Sequence, residues 1–365
     1  MAIVCTKQNF LSGLAAVERA IGRNATLPIL SYVSVIAKAG KVVLSATDLD
    51  IGVVSAIPAK VDEEDTITLL FKPLASFVTS LPEDTIQIKK SGKFITVRSG
   101  TLQGRFQSGN NDDFPIIPDL SEAEPIRFST QELLRTLEEV LPASSITDTR
   151  PELTGVALIV DGNRLSVVAT DTFRLALRTV PYSHHEVFSV IVPQRSVQEI
   201  IRLFKRDETL EVRFAEHQMR VSASETALTS RLLEGTYPDF RAILPKPTQK
   251  KTRVSRQTLL SRLEAAVPFA GRLNEVRLTF REGGKTLIIS AEHPDVGTYE
   301  GEVQIKEGAE EGTIVCNIRY FLDGIRSMRD PECVLELNGE AKPLVLRPQD
   351  ETGEDCYLLM PIRAT

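Results

Sequence analysis

VVATDTFRLA (residues 167–176) has a counterpart in each direction along the chain, LSATDLDIG at 44–52 and ISAEHPDVG at 289–297. Aligning the three puts Ala46, Ala169 and Ala291 at steps of 123 and 122 residues. A second marker keeps the same clock: Phe114-Pro115, Tyr237-Pro238 and Met360-Pro361 place their prolines 123 residues apart, twice. Chance supplies one such coincidence, but two with a shared period mean an internal repeat. Helical signals recur outward from these markers. NFLSGLAAVERAI (9–21), STQELLRTLEEVL (129–141) and SRQTLLSRLEAAV (255–267) each open on a capping-type residue and carry apolar residues three and four apart. A second helical stretch follows in each unit, at 72–81, 194–204 and 317–328. Short β-type runs such as VVLSA, FITVRSG, RLSVVAT, MRVSAS, TLIISA and CVLELN surround them. The turn pairs Ala39-Gly40, Ser91-Gly92, Asp161-Gly162, Gly283-Gly284 and Asn338-Gly339 punctuate the runs. Each unit therefore reads as two helices plus about eight short strands, an α+β domain of about 120 residues. The expected organisation is three tandem domains, 1–119, 126–245 and 246–365, joined by the polar links IPDLSEAEP (117–125) and LPKPTQKK (244–251). The period is too long for a solenoid, so each unit is expected to bury its own core.

Composition narrows the function. A hydrophobic fraction of 42% and a charged fraction of 25% are those of a soluble globular protein. No apolar run reaches membrane-spanning length, and MAIVCTKQNF has no signal-peptide core, so a cytoplasmic protein without membrane contact is expected. Cys5, Cys316, Cys333 and Cys356 lack CxxC spacing and read as reduced structural thiols.

The net charge of −6 argues against bulk electrostatic grip on nucleic acid, yet the charges are unevenly placed. In the six helical stretches (9–23, 71–82, 129–141, 193–206, 253–267 and 317–329) 14 Lys and Arg stand against 7 Asp and Glu, while strands and loops are acidic. Basic helices on an acidic body could present one face to DNA and repel it elsewhere. The candidates are Arg23, Arg195, Arg202, Lys205, Arg206, Arg253, Arg256, Arg326 and Arg329. The competing explanation is that Arg and Lys are simply good helix formers on solvated faces. With no Trp and 6% aromatics, base stacking on single strands is disfavoured. No helix-turn-helix or zinc-finger pattern appears, so any DNA contact is expected to be sequence-blind and directed at phosphates.

Catalytic signatures are missing from the sequence. His184, His185, His217 and His293 show no ligand spacing, and no metal or other cofactor is expected. GGKT (283–286) lacks the upstream glycine of a phosphate-binding loop and sits where a hairpin turn is wanted. Asp48 and Asp171 occupy equivalent positions and could be imagined as paired acids of a hydrolase or transferase. The third repeat has Glu292 and His293 there, and a turn-capping Asp is the simpler reading.

Several stretches together resemble a known family: TLPILSYV (26–33), DFP (113–115), RPELTGV (150–156), ATDTFRLA (169–176), GTYPDFRAILP (235–245), NIRY (317–320) and MPIR (360–363). In this order, over essentially the whole chain, they resemble the bacterial DNA polymerase III beta subunit, the DNA sliding clamp. The resemblance implies three DNA-clamp domains, each two helices on short-stranded antiparallel sheets. It also implies a head-to-tail homodimer closing a six-domain ring around double-stranded DNA. Twelve helices at about 10 Å apiece would line a hole roughly 38 Å across, wide enough for a duplex and a water layer.

It further implies a groove for a short apolar peptide carried by the polymerase catalytic subunit, the clamp loader and other clamp-binding proteins. The matching positions are Leu153, Thr170, Thr172, Phe173, Arg174 and Leu175, then Pro238 and Ile243. The third domain adds Asn317, Tyr320, Leu358, Met360, Pro361, Ile362 and Arg363. Phe173 departs from the His frequent in the family, and Ala364-Thr365 extend the usual ending. The implied dimer edge joins Arg105, Phe106 and Gln107 to Phe269, Arg272 and Leu273 of a second copy. A non-replicative clamp paralogue or scaffold is the alternative.

Overall fold

The computed structural model describes residues 2–22, 27–182, 187–245, 251–281, 285–308, 311–350 and 353–362. Arg23, His184, His185, Gly283, Gly284, Arg363, Ala364 and Thr365 lie outside the described residues.

Six α-helices fall where periodicity predicts them: α1 Lys7–Val17, α2 Phe71–Ser80, α3 Thr130–Val140, α4 Gln194–Leu203, α5 Arg256–Ala266 and α6 Ile318–Ser327. The starts of α1, α5 and α6 follow from side-chain caps, which satisfy amides that no preceding turn can, whereas α2 starts after Leu70 without one. Thr6 Oγ1 accepts from the Asn9 amide, Ser255 Oγ from Thr258, and Asn317 Oδ1 from Arg319 and Tyr320. Two boundaries need correction. The first helix is capped by Thr6, not Asn9, and Arg253 belongs to strand Lys251–Ser255, ahead of α5. The hairpins expected at Gly40, Gly92 and Gly162 are present, with each glycine at positive φ, where a side chain would be strained.

Two compact units emerge, and their border runs through the central repeat. The first comprises Met1–Gln131 and Gln198–Leu232, the second Glu132–Val197 and Leu233–Thr365. The first unit holds a five-stranded sheet whose outer strand is Leu102–Gln107. It also holds an eight-stranded sheet in which strand Ile51–Pro58 of the first repeat pairs antiparallel with Thr226–Arg231 of the second. The second unit is built on a twelve-stranded sheet, in which Arg174–Pro181 of the second repeat pairs with Cys356–Leu359 of the third. Every described ladder in these joints is antiparallel, so the repeats are joined by backbone hydrogen bonds as well as by the chain.

Alternation explains the burial. In strand Arg174–Pro181, Leu175 and Leu177 enter a cluster with Leu153, Val168, Tyr237, Phe240, Val345 and Leu358. Arg174 and Arg178 point the other way and are still buried. Two buried arginines on one strand face demand partners.

Candidate functional site

The turn that the sequence comparison singled out is a repeated device. Thr170 Oγ1 donates to the Arg174 carbonyl at 2.7 Å and accepts from the Thr172 amide, while Asp171 Oδ1 accepts from the Phe173 and Arg174 amides, both at 2.9 Å. In the first repeat, Thr47 and Asp48 make the same four bonds with Leu49, Asp50 and Ile51. Both turns carry a non-glycine residue at positive φ, Thr172 at 76° and Leu49 at 82°. For a β-branched residue this is strained, and it persists because the surrounding bonds over-determine the turn. The two aspartates are therefore turn caps standing in different repeats, not an acid pair.

The strained turn pushes Phe173 outward, to 61% exposure. The chain's tail lies against it. Met360 donates its amide to the Phe173 carbonyl at 2.8 Å, and Ile362 donates to the Val315 carbonyl at 2.8 Å. Met360 is 38% exposed, and Ile243, at the end of the 3-10 helix Phe240–Ile243, is 52% exposed. Leu153, Leu175 and Leu358 are all buried in one cluster. These three were expected among the groove residues, and in the structure they are buried core. Thr170 is buried in the turn, Thr172 exposed at its apex, and Pro238, Tyr320, Pro361 and Ile362 are half-buried. Asn317 is engaged as the α6 cap.

Arg174 was expected to meet a ligand, but its guanidinium is already committed. Nε donates to Asp171 Oδ2 at 2.9 Å, Nη1 to Asp323 Oδ2 at 2.6 Å, and the group stacks 4.1 Å over the Tyr320 ring. Burial works against its charge, but Tyr357, Asp323 and Asp171 outweigh burial and hold its pKa above the ordinary value. Burial likewise pushes the Tyr357 and Tyr320 hydroxyls up, with Arg174 pulling each part of the way back. Arg178 donates to Glu139 Oε2 at 2.7 Å, to the Cys356 carbonyl, and to the carbonyl and hydroxyl of Ser327. Glu139 also accepts from Arg135 and Arg329. Asp323, Glu139, Arg178 and Tyr357 escaped the sequence reading. The one legible signal was two arginines, four apart, in an otherwise apolar strand.

The expected DNA-facing residues divide into two sets. Arg195, Lys205 and Arg206 are exposed. Arg202, Arg253, Arg256, Arg326 and Arg329 make bonds within the chain, Arg326 and Arg329 while remaining exposed. Arg202 pairs with Glu199 and donates to the Ala15 and Ala16 carbonyls at the end of α1, which corrects the expectation of a solvent-facing side chain. Arg256 donates to the Ile325 carbonyl, Arg326 to Glu264, and Arg329 to Glu139. Arg253 pairs with Glu307 across neighbouring strands.

At the expected dimer edge, Arg105 lies 3.8 Å over the Phe94 ring and Phe106 packs edge-on to Phe77. Gln107 is exposed at the end of that strand. Phe269 stacks on Tyr299, Arg272 is exposed, and Leu273 is 68% exposed. Strand Gly297–Glu307 pairs with Thr286–His293 on one side, and on the other only near Ile305 and Glu307. Among the described residues no group of His, Cys, Asp and Glu could hold a metal ion, and no helix is long and apolar enough to cross a membrane.

Family profiles of the DNA polymerase III beta subunit match in sequence: the N-terminal domain over residues 1–118, the central domain over 127–239 and the C-terminal domain over 241–363. The chain is 30% identical over 375 residues to the beta sliding clamp of Synechococcus elongatus, covering 100% of this chain and 99% of that one. Among solved structures it resembles the DNA polymerase sliding clamp of Bacillus subtilis at a TM-score of 0.95, with 25% identity and full coverage of both chains. It likewise resembles the Pseudomonas aeruginosa clamp bound to griselimycin at 0.93, with 25% identity and full coverage of both.

Proposed function

Because this chain belongs to the family of DNA polymerase III beta subunits, the beta sliding clamps, we propose that it encircles duplex DNA as a head-to-tail homodimer and tethers polymerases through the groove at Phe173. It is a sliding clamp, a non-catalytic processivity factor built of three clamp domains. We place the domain limits at 1–119, 126–245 and 246–365, in keeping with the 123-residue period.

The ring is supported by edges. Within the chain, the strand after the Asp-capped turn of each repeat pairs with the last strand of the next repeat. The third repeat's equivalent, Gly297–Glu307, has most of one edge open, and the first repeat's last strand, Leu102–Gln107, is also an open edge. Joining them between two copies continues the rule and leaves no such edge free. Leu273, Arg272 and Phe269 beside one edge, and Arg105, Phe106 and Gln107 on the other, are the residues proposed to meet. Arg195, Lys205 and Arg206, all exposed, are the side chains proposed to face DNA. Contact would be loose, because topology rather than phosphate grip holds the duplex.

The groove reading rests on one observation above all: Phe173 and Met360 are exposed and joined by a backbone bond, while Leu175 and Leu358 of the two paired strands they adjoin are buried in one cluster; Ile243 is exposed as well. An apolar peptide from a polymerase or the clamp loader suits it. Two measurements test the proposal. Sedimentation should give a dimer, and protein loaded on nicked circular DNA should remain until the circle is linearised. Release at the same rate from circle and line, or a monomer at micromolar concentration, overturns the ring. Griselimycin serves as probe for the groove: a wild-type chain that fails to bind it, or binds equally well with Phe173→Asp, has no groove there.

A further inference from the structure

We propose that Tyr357 and Gly324 are the positioning residues of the groove, setting the Tyr320 wall against the Phe173 turn; the inference rests on the groove reading above. Helix α6 is tied to strand Arg174–Pro181 at two points. Arg174 reaches Asp323, and Arg178, four residues on along the same strand face, reaches Ser327, four residues on along the same helix face. Gly324 lies between those ties. A Cβ placed there would sit 2.6 Å from Cδ1 of Tyr357 and 2.7 Å from Cε1, contacts that real side chains do not make. Glycine is unfavourable inside a helix, so its presence marks a close approach.

That approach has a product. Tyr357 is fully buried and donates its hydroxyl to the Tyr320 carbonyl at 2.9 Å. By helix geometry this carbonyl also faces the amide four residues on, that of Gly324, so the ring and hydroxyl of Tyr357 support the same turn. Tyr320 is thus held at its carbonyl by Tyr357 and at its ring by the guanidinium of Arg174. Three residues after Tyr357, the same stretch supplies Met360 to the rim. The other repeats provide the contrast. The seventh residue of the equivalent helix is Phe77 in α2 and Ile200 in α4, and only in α6, beside the groove, is it glycine. A bulky residue fits the fold at this position, so glycine answers a local demand of the third repeat.

The test compares wild type, Tyr357→Phe, Gly324→Ala and, as a control, Ile200→Ala in the full-length protein. Griselimycin affinity and melting temperature are measured, with fluorotyrosine NMR of Tyr320 assigned by its loss in Tyr320→Phe. Loss of the Tyr357 hydroxyl is expected to weaken binding about fivefold to tenfold and to shift the Tyr320 resonance, with only a small change in melting. Gly324→Ala should weaken binding more, and Ile200→Ala should leave affinity unchanged whatever it does to melting. If Gly324→Ala does not fold, Tyr357→Phe decides. Unchanged affinity and an unmoved Tyr320 resonance in the folded variants overturn the positioning role. So does a reduced binding-competent fraction at unchanged affinity, which would mean a purely structural role. Absence of wild-type binding overturns the groove itself.

Discussion

The joint between the first and second repeats and the joint between the second and third share a backbone and differ in side chains. At the first, Arg231 donates its amide to the Asp50 carbonyl; at the second, Met360 donates to Phe173 in the same arrangement, beside the same Asp-capped turn. The bonded residues are charged in one, Asp50 and Arg231, and apolar in the other, Phe173 and Met360. Behind them the pattern reverses: the first joint has Ile51 and Ser55 on the strand face where the second has Arg174 and Arg178. Ser55 needs only the Thr226 hydroxyl at 3.2 Å, whereas Arg178 bonds Glu139, three carbonyls and a serine hydroxyl. The scaffold was thus available twice. The proposed binding surface lies at the joint where apolar residues stand outside and charge lies inside.

The largest expected difference between the joints is in stability. Arg178→Met removes a buried partner of Glu139 and should cost about 3 kcal/mol or more in denaturant unfolding, while Ser55→Ala at the matching position should cost under about 1 kcal/mol. Equal costs would mean that the buried ions of the second joint matter no more than the hydroxyl pair of the first.

Next come the turn caps. Asp48→Ala and Asp171→Ala each remove an acceptor for two backbone amides and should each cost about 1–2 kcal/mol. Only Asp171→Ala also releases Arg174, so only it should weaken griselimycin binding. Loss of binding in both variants would break the distinction between the joints.

Met360→Ala sharpens the comparison from the rim. At 38% exposure it should lose less than about 1 kcal/mol, well below the cost of truncating a core methionine, while ligand affinity falls. Arg231→Ala, which strand pairing matches to Met360 although the 123-residue period would match Tyr237, should leave affinity unchanged. Removing Pro361–Thr365 should also abolish capture, at the further small cost of the Ile362–Val315 bond.

The smallest effect concerns the thiols, which both units keep buried. Burial raises Cys5 and Cys333 to about 12 and Cys356 to about 11, and raises Cys316 as well. Unfolded thiols ionise near about 8.5. Because the folded pKa values are the higher ones, the thiol contribution is intact below that point and declines as pH rises from it toward 11. Native protein at pH 8 should therefore resist iodoacetamide at all four cysteines, and a melting scan should fall gently above about pH 9. Rapid labelling of Cys356 alone would indicate that the second joint opens more readily than the first.

The period, the helices and the Asp-capped turns were legible because each depends on residues close in sequence. A cap reaches three residues and a helical stripe seven or eight. The partners of Arg174 and Arg178 on α6 lie 149 residues away, and nothing local distinguishes Asp323 from an exposed helical acid. Arg202 misled for the same reason: its acceptors are backbone carbonyls of α1, which any sequence would offer. The pairing of Thr226–Arg231 with the first repeat's sheet, and of Cys356–Leu359 with the second's, was equally hidden, since a strand's alternation does not say which neighbour it joins.

The split of the central repeat between two sheets bears on how such a chain can be recombined. A duplication that created three similar segments would suggest exchangeable modules, each transferable to another gene at its boundary. Yet a cut at 125 or 246 severs a continuous ladder and leaves raw strand edges on both fragments, each a template for unwanted pairing. The units that should survive excision, and melt as cooperative blocks in hydrogen exchange, are the two that cross the repeat boundaries. Because each unit takes two stretches of chain, exchanging one intact needs seams at 131/132, 197/198 and 232/233 together, and the sequence repeat gives no hint of them.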